Sequence, residues 1–360
     1  MEFDPKKPYN QLPILPPPLD FDNVKILKKV NAANIALSKL EGSSLAIPNR
    51  SLLIEPLSVR EAVASSGIEN INTTVAEVFQ AELFPEKQMS KAQKETLHYK
   101  DALRVGFALI QKQGFLHTNS FLEIQKVLEA NKSGIRKLPG TSIKNTVTGE
   151  VIYTPPDGEA TIRALLKNYE DYYNNFKDDV DPLIKMAILH YQFEAIHPFY
   201  DGNGRTGRIL MVLHLILAQR LELPILFISG YINEHRSDYY RLLKEVTQKG
   251  SWNEWVMFML EAVETQAGAT AKTVMEIREM HGQYKKAIKK DLAKIYSTEL
   301  VDYLFANPFY TQQRLSMAVG KERRTSAKYL NALLDVGLIK AFKFGREKIY
   351  YCPKLLKLLS

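Results

Sequence analysis

Twelve consecutive residues, His197 to Arg208 (HPFYDGNGRTGR), carry one histidine, one aspartate, one asparagine, two arginines and three glycines. They lie between two strongly apolar segments, 182–195 and 206–219, that read as buried core helices. Pro198 disfavours helical geometry at His197, so the first helix ends there. Gly202, Gly204 and Gly207 permit a tight turn with backbone N–H groups pointing inward. A second helix starting near Arg205 or Thr206 adds its N-terminal dipole. The product is an anion cradle beneath two guanidinium groups, a chemistry suited to a polyphosphate.

Each polar group has a role in such a site. His197 is the one group of the loop suited to taking a proton near neutral pH. Asp201 offers hard oxygens to Mg²⁺ between phosphates. Asn203 can orient a phosphate oxygen or complete the outer shell of the metal. Base, metal carboxylate and two cationic clamps together fit transfer of a phosphoryl-type group to a hydroxyl. The same residues also have ordinary readings, as a helix cap, a turn and solvated arginines. A zinc site drawn from His190, His197 and Asp201 is a further rival, which no HExxH or CxxC spacing supports.

Hydrophobic residues make up 45% of the 360 and charged residues 24%. That suffices for about two domains at roughly 150 residues each, without the bias of a fibrous or disordered chain. A single cysteine, Cys352, excludes an internal disulfide and a thiolate metal cluster. The opening residues carry no apolar signal segment, and the most apolar run, 209–218, is half the length of a membrane span. The expectation is a soluble, cytoplasmic protein. Net charge is +8, and residues 291–360 hold twelve Lys and Arg against six Asp and Glu. A basic module therefore follows a nearly neutral body, attractive to nucleic acid and acidic proteins alike.

The periodicity predicts a mostly α chain behind a Pro-rich, extended lead-in at 1–22. Helices are expected from Asn23 to Leu40, stopped by the EGSS segment, and from Ser51 or Pro56 to about Ala64. Another follows a cap at Asn72 or Thr73, then helices at 90–113 and 118–130. Residues 134–158, around NTVTGE, read as a two-stranded flap. Helices resume at 159–176, 182–195, 206–219, 234–249 and 251–265, and Lys272–Tyr284 continues the series. In the last 70 residues Thr311 caps a short helix and Gly320 turns the chain. The next helix presents Leu330, Leu333 and Leu334 inward, and two β-prone runs flank Gly345. Three helices plus a wing resemble a winged helix-turn-helix domain, which serves DNA or protein contact. The expected division is 1–110, 111–265, a helical linker at 266–290, and 291–360.

HPFYDGNGRTGR matches the signature of Fic-domain proteins, His-x-Phe-x-(Asp/Glu)-Gly-Asn-Gly-Arg-x-x-Arg, at every defined position. The resemblance covers roughly 50 to 265. The layout is similar to that of soluble bacterial protein adenylyltransferases with a C-terminal winged helix. It implies a Fic-type helical core and transfer of AMP from ATP, with Mg²⁺, to a Ser, Thr or Tyr hydroxyl of a protein. His197 would be the base, Phe199 the anchor of the loop and Asp201 the metal ligand. Asn203 and the Gly202–Gly204 backbone would hold the α-phosphate, Arg205 the β-phosphate and Arg208 the γ-phosphate. Thr206 and Gly207 complete the binding loop, and Tyr239 and Tyr240 match an aromatic pair near the adenine. Phosphotransferase-like relatives carry Lys where this chain has Gly204, so the intact glycine favours AMP transfer. The expected partners are a target protein added to the flap as a strand and a second copy of the chain. Nucleic acid at the C-terminal unit is the lesser expectation, and no membrane contact is expected.

Two alternatives stay open: removal of AMP by the same site, and a DNA-binding regulator with a Fic-like body. One further motif bears on activity. The residues SSGIEN, Ser65 to Asn70, read by themselves as a surface helix end with Glu69 solvated. They also match the Fic inhibitory-helix pattern (Ser/Thr)-x-x-x-Glu-(Gly/Asn) through Ser65, Glu69 and Asn70. The resemblance implies that Glu69 pairs with Arg208 and occupies the guanidinium meant for the γ-phosphate.

Overall fold

The computed structural model of the chain describes residues 3–18, 21, 23–84, 88–144 and 148–360. Helix α1 (Val24–Leu45) starts where the Asn23 side chain accepts the Ile26 N–H, and buries Ile26, Val30, Ala33, Leu37 and Leu40 along one stripe. It runs through the EGSS segment expected to stop it. The Ser43 and Ser44 hydroxyls donate back to the Leu40 and Glu41 carbonyls, so both serines are satisfied inside the helix. The described part of the lead-in is pinned down rather than loosely laid. Leu12 and Leu15 are buried, and the Asn168 amide both donates to and accepts from the Leu15 backbone.

Helix α2 (Ser51–Ile68) also overruns its expected end at Ala64. Keeping Gly67 helical costs about 1 kcal/mol against alanine. Burying Ile68 offsets that with roughly 2 kcal/mol, and Ile68 is buried. Helix α3 (Val75–Ala81) is capped by Thr74, not by Asn72 or Thr73, because Thr74 and Glu77 form a reciprocal capping box. Then come α4 (Lys91–Gln113), α5 (Thr118–Leu128) and one 3₁₀ turn, Ala130–Lys132. The flap follows as an antiparallel pair, β1 (Ile143–Lys144) and β2 (Val151–Tyr153). Residues 145–147 of the NTVTGE segment lie outside the described residues.

Helices α6 (Glu159–Tyr173), α7 (Pro182–Ile196) and α8 (Asn203–Leu217) form the centre, with α7 and α8 packed on each other and buried almost throughout. Helix α9 (Ile228–Glu234) precedes α10 (Arg236–Lys249). Helix α11 (Trp252–Asp291) then runs 40 residues without a break, through 266–290, with α1 lying along it. No described helix is long and apolar enough to cross a membrane.

The C-terminal region is mixed α/β: α12 (Thr298–Ala306), β3 (Phe309–Thr311), α13 (Gln312–Ala318), α14 (Arg323–Asp335), β4 (Lys340–Phe344), β5 (Glu347–Tyr351) and α15 (Pro353–Leu359). Thr311 caps α13 by accepting the Arg314 N–H. Leu330 and Leu333 are fully buried, and Leu334 is half-buried. The β4–β5 hairpin lies where the wing is expected, and β3 joins it in the order β3-β5-β4. Both β3 and α15 are additions to what the sequence suggests. Helix α12 packs on α2 as well as on α11.

Candidate active site

The loop between α7 and α8 is built by two residues in the left-handed region. His197 caps α7 at φ +47°, where its N–H still reaches the Phe193 carbonyl, and Pro198 prevents another turn. Gly202 turns the chain at φ +78°, and α8 begins at Asn203, slightly before the expected Arg205 or Thr206. The first bond of α8 is Thr206 N–H to the Gly202 carbonyl, which also accepts the Thr206 hydroxyl. The amides of Asn203, Gly204 and Arg205 are thus the free N-terminal donors of the helix.

Phe199 is fully buried and forms a β-bridge with Ile135, as expected of an anchor. Asn203 departs from the expectation. Its amide oxygen accepts the Phe199 N–H at 2.8 Å and its amide nitrogen donates to the Phe199 carbonyl at 2.9 Å. With both ends of its amide bonded to Phe199, the side chain clamps the loop.

His197 is neutral at physiological pH. Burial and the nearby Arg136 charge push its imidazole down to about 4, against the pull of Glu69 and Asp201. Arg136, from the root of the flap, is itself 1% exposed. Its guanidinium donates to the carbonyls of His197 (2.7 Å), Ile196 (3.3 Å) and Pro156, and its backbone N–H donates to Pro198 at 2.9 Å.

Each charged group of the motif is already paired. Arg208, 1% exposed, donates through Nε to the Ser65 hydroxyl (2.7 Å) and through Nη2 to the Ser65 carbonyl (3.1 Å) and Glu69 (2.9 Å). Glu69 caps α2, and its carboxylate is not merely solvated. Desolvation raises its pKa, but the Arg208 charge and hydrogen bond, with Arg205 and His197 beyond, hold it net below the usual value. Arg205 donates to Glu129 at 2.6 Å, with Glu95 at 3.7 Å and Asp201 at 3.8 Å. Its buried Nε and Nη1 have no hydrogen-bond partner. Asp201 accepts the Gly202 N–H at 2.8 Å and pairs with Lys132 at 2.6 Å.

Two glycines make this crowding possible. A methyl group at Gly204 would collide with the Glu69 carboxylate and Arg208, and one at Gly207 with the Glu194 carboxylate. The tyrosine pair separates. Tyr239 is buried, bonded to His190 Nε2 at 2.9 Å and packed near Trp255, so it belongs to the core. Tyr240 is 48% exposed and alone presents a ring to solvent. With His190 spent on Tyr239, the zinc alternative loses a ligand, and the described residues contain no metal-binding group of three. Sequence reasoning missed Glu95, Glu129, Lys132, Arg136 and Glu194.

Three family models match the chain: Fic/DOC family N-terminal over 27–108, Fic/DOC family over 115–215, and Protein adenylyltransferase SoFic-like, C-terminal domain, over 280–355. The chain is 34% identical over 110 residues to Protein adenylyltransferase Fic of Drosophila willistoni, covering 30% of this chain and 21% of that protein. It is 26% identical over 204 residues to the protein of that name in Drosophila grimshawi, covering 56% and 40%. The chain thus spans well under half the length of these curated relatives. In fold it resembles a Fic family protein from Desulfovibrio desulfuricans, with a TM-score of 0.57 at 18% identity over 93% of this chain and 98% of that one.

Proposed function

The chain belongs to the Fic/DOC family, and from that premise we propose that it transfers AMP from ATP to a protein hydroxyl and that Glu69 restrains the activity. The observation behind this reading is a neutral imidazole at the end of α7 six residues before the open amides of α8. The amides of Asn203, Gly204 and Arg205 receive the α-phosphate, and the Arg205 Nε, which has no partner, receives the β-phosphate with Nη1, whose one partner is Glu95 at 3.7 Å. The target hydroxyl oxygen attacks the α-phosphorus while His197 takes its proton. The bond from that phosphorus to the β-bridging oxygen breaks, and pyrophosphate leaves.

The half-buried Asp201 carboxylate would hold a magnesium ion, and the Lys132 ammonium beside it marks a place where positive charge sits. Bound there, the ion would supply charge neutralisation on the phosphates. A target strand pairs with the flap, whose backbone gives register. Glu69 takes the Arg208 donor that a γ-phosphate needs and repels that phosphate, so ATP lies in a pose unfit for in-line attack.

Labelled-AMP incorporation tests both halves. Glu69→Gly is expected to raise incorporation, including self-modification, well over tenfold. His197→Ala in that background should lower it by about 10²–10⁴-fold with ATP affinity retained. Unchanged incorporation in Glu69→Gly would return Glu69 to a structural role, and equal rates with and without His197 would remove it as the base.

A further inference from the structure

We propose that Arg136 is a positioning residue that holds the His197 backbone in its working shape and ties that shape to both roots of the flap. Its guanidinium gathers carbonyls from three segments: Ile196 at the last turn of α7, His197 in the loop, and Pro156 where the flap returns to the body. From the other side its N–H takes the Pro198 carbonyl, and its neighbour Ile135 pairs with Phe199. Residues 196–199 are therefore each held by residue 135 or 136.

The cost of the arrangement indicates its purpose. A buried guanidinium normally requires a carboxylate, yet among the described residues Arg136 makes no ion pair, only carbonyl contacts. The Asp157 carboxylate, next to Pro156, offsets part of its desolvation from beyond ion-pair distance, and the negative end of α7 with its orphan carbonyls supplies the direct contacts. A left-handed residue other than glycine persists only where its surroundings over-determine it, and His197 is such a residue, at φ +47°. Capture of its carbonyl at 2.7 Å fixes the peptide plane that aims the imidazole. A lysine carries the charge without the planar fork and cannot bridge all three carbonyls in one plane. The charge also helps keep the imidazole unprotonated. A target strand pulling on β1–β2 thus acts on a hairpin whose two roots meet at this cation.

The kinetic test rests on the transfer reaction proposed above, so it uses Glu69→Gly as parent. Adding Arg136→Lys should lower kcat at least tenfold, and Arg136→Met at least a hundredfold, with KM for ATP within threefold because Arg136 is apart from the phosphate donors. Unchanged kcat, or a loss carried by KM, overturns the assignment. If the parent itself transfers no AMP, the proposed reaction falls and amide hydrogen exchange decides. Exchange at His197 and Phe199 at least tenfold faster in Arg136→Met, with α11 unchanged, upholds the clamp; protection equal to the parent's overturns it. Should Arg136→Met fail to fold, Arg136→Lys carries both measurements against the same criteria.

Discussion

At Glu194, one turn before His197, the chain buries a carboxyl oxygen, Oε1, that has no hydrogen-bond partner. Burial pushes its pKa up to about 8, with Arg208 opposing and Glu69 adding to the rise. The folded protein therefore keeps a proton that the unfolded chain loses near 4.5. This contribution to stability is whole below 4.5 and is lost as pH rises toward 8, by at most about 1.4 kcal/mol per pH unit. Glu194→Gln should remove that slope, so its Tm should gain on wild type between pH 5 and 8. Parallel Tm curves would show that Glu194 is ionised in the fold. For His197 the direction is opposite. Its lowered pKa leaves kcat/KM flat from pH 8 to about 5 and falling only through about 4; a fall centred near 6.5 would mean an ordinary imidazole. The motif residues were legible because they are contiguous, and Glu69 because it lies in a short pattern. Glu129, Lys132 and Arg136 are ordinary charges lying 76, 69 and 61 residues before their partners Arg205, Asp201 and His197. Only the fold brings each pair together, and no local spacing announces it. Asn203 and Tyr239 show the complementary limit, since a motif names a residue without saying which intramolecular bonds its side chain makes.

Among the elements, those with clean amphipathic spacing, α4, α5 and α6, lie close to where the sequence puts them. Helices α1 and α2 run past serine and glycine signals because those residues sit in tertiary surroundings that local propensity does not record. The overrun of α2 carries Glu69 to Arg208. That end is also held from outside: Arg236, at the start of α10, donates to the Gly67 carbonyl and to the Asn70 side chain. Arg236→Ala removes this C-terminal support without touching Glu69. Incorporation of labelled AMP should then rise several-fold over wild type, yet stay below that of Glu69→Gly. A variant as silent as wild type would show that the Glu69–Arg208 pair needs no help from α10.

At the scale of the molecule, one continuous cluster of buried side chains runs from Leu12 to Leu359, through the C-terminal region. Calorimetry of the whole chain should therefore give a single unfolding transition. A second, separable peak would show that residues 291–360 fold alone, as their own helix, turn and wing signals suggest. The long α11 gives this continuity a mechanical meaning. Near one end the Trp255 indole donates to the Ala187 carbonyl on α7; near the other the Tyr284 hydroxyl donates to Leu338 beside the wing. At 1.5 Å per residue these two rivets stand about 44 Å apart on one rod. That rod contains no proline and runs unbroken between the two rivets. One helix thus touches both the β4–β5 end of the molecule and α7, the helix that ends at His197.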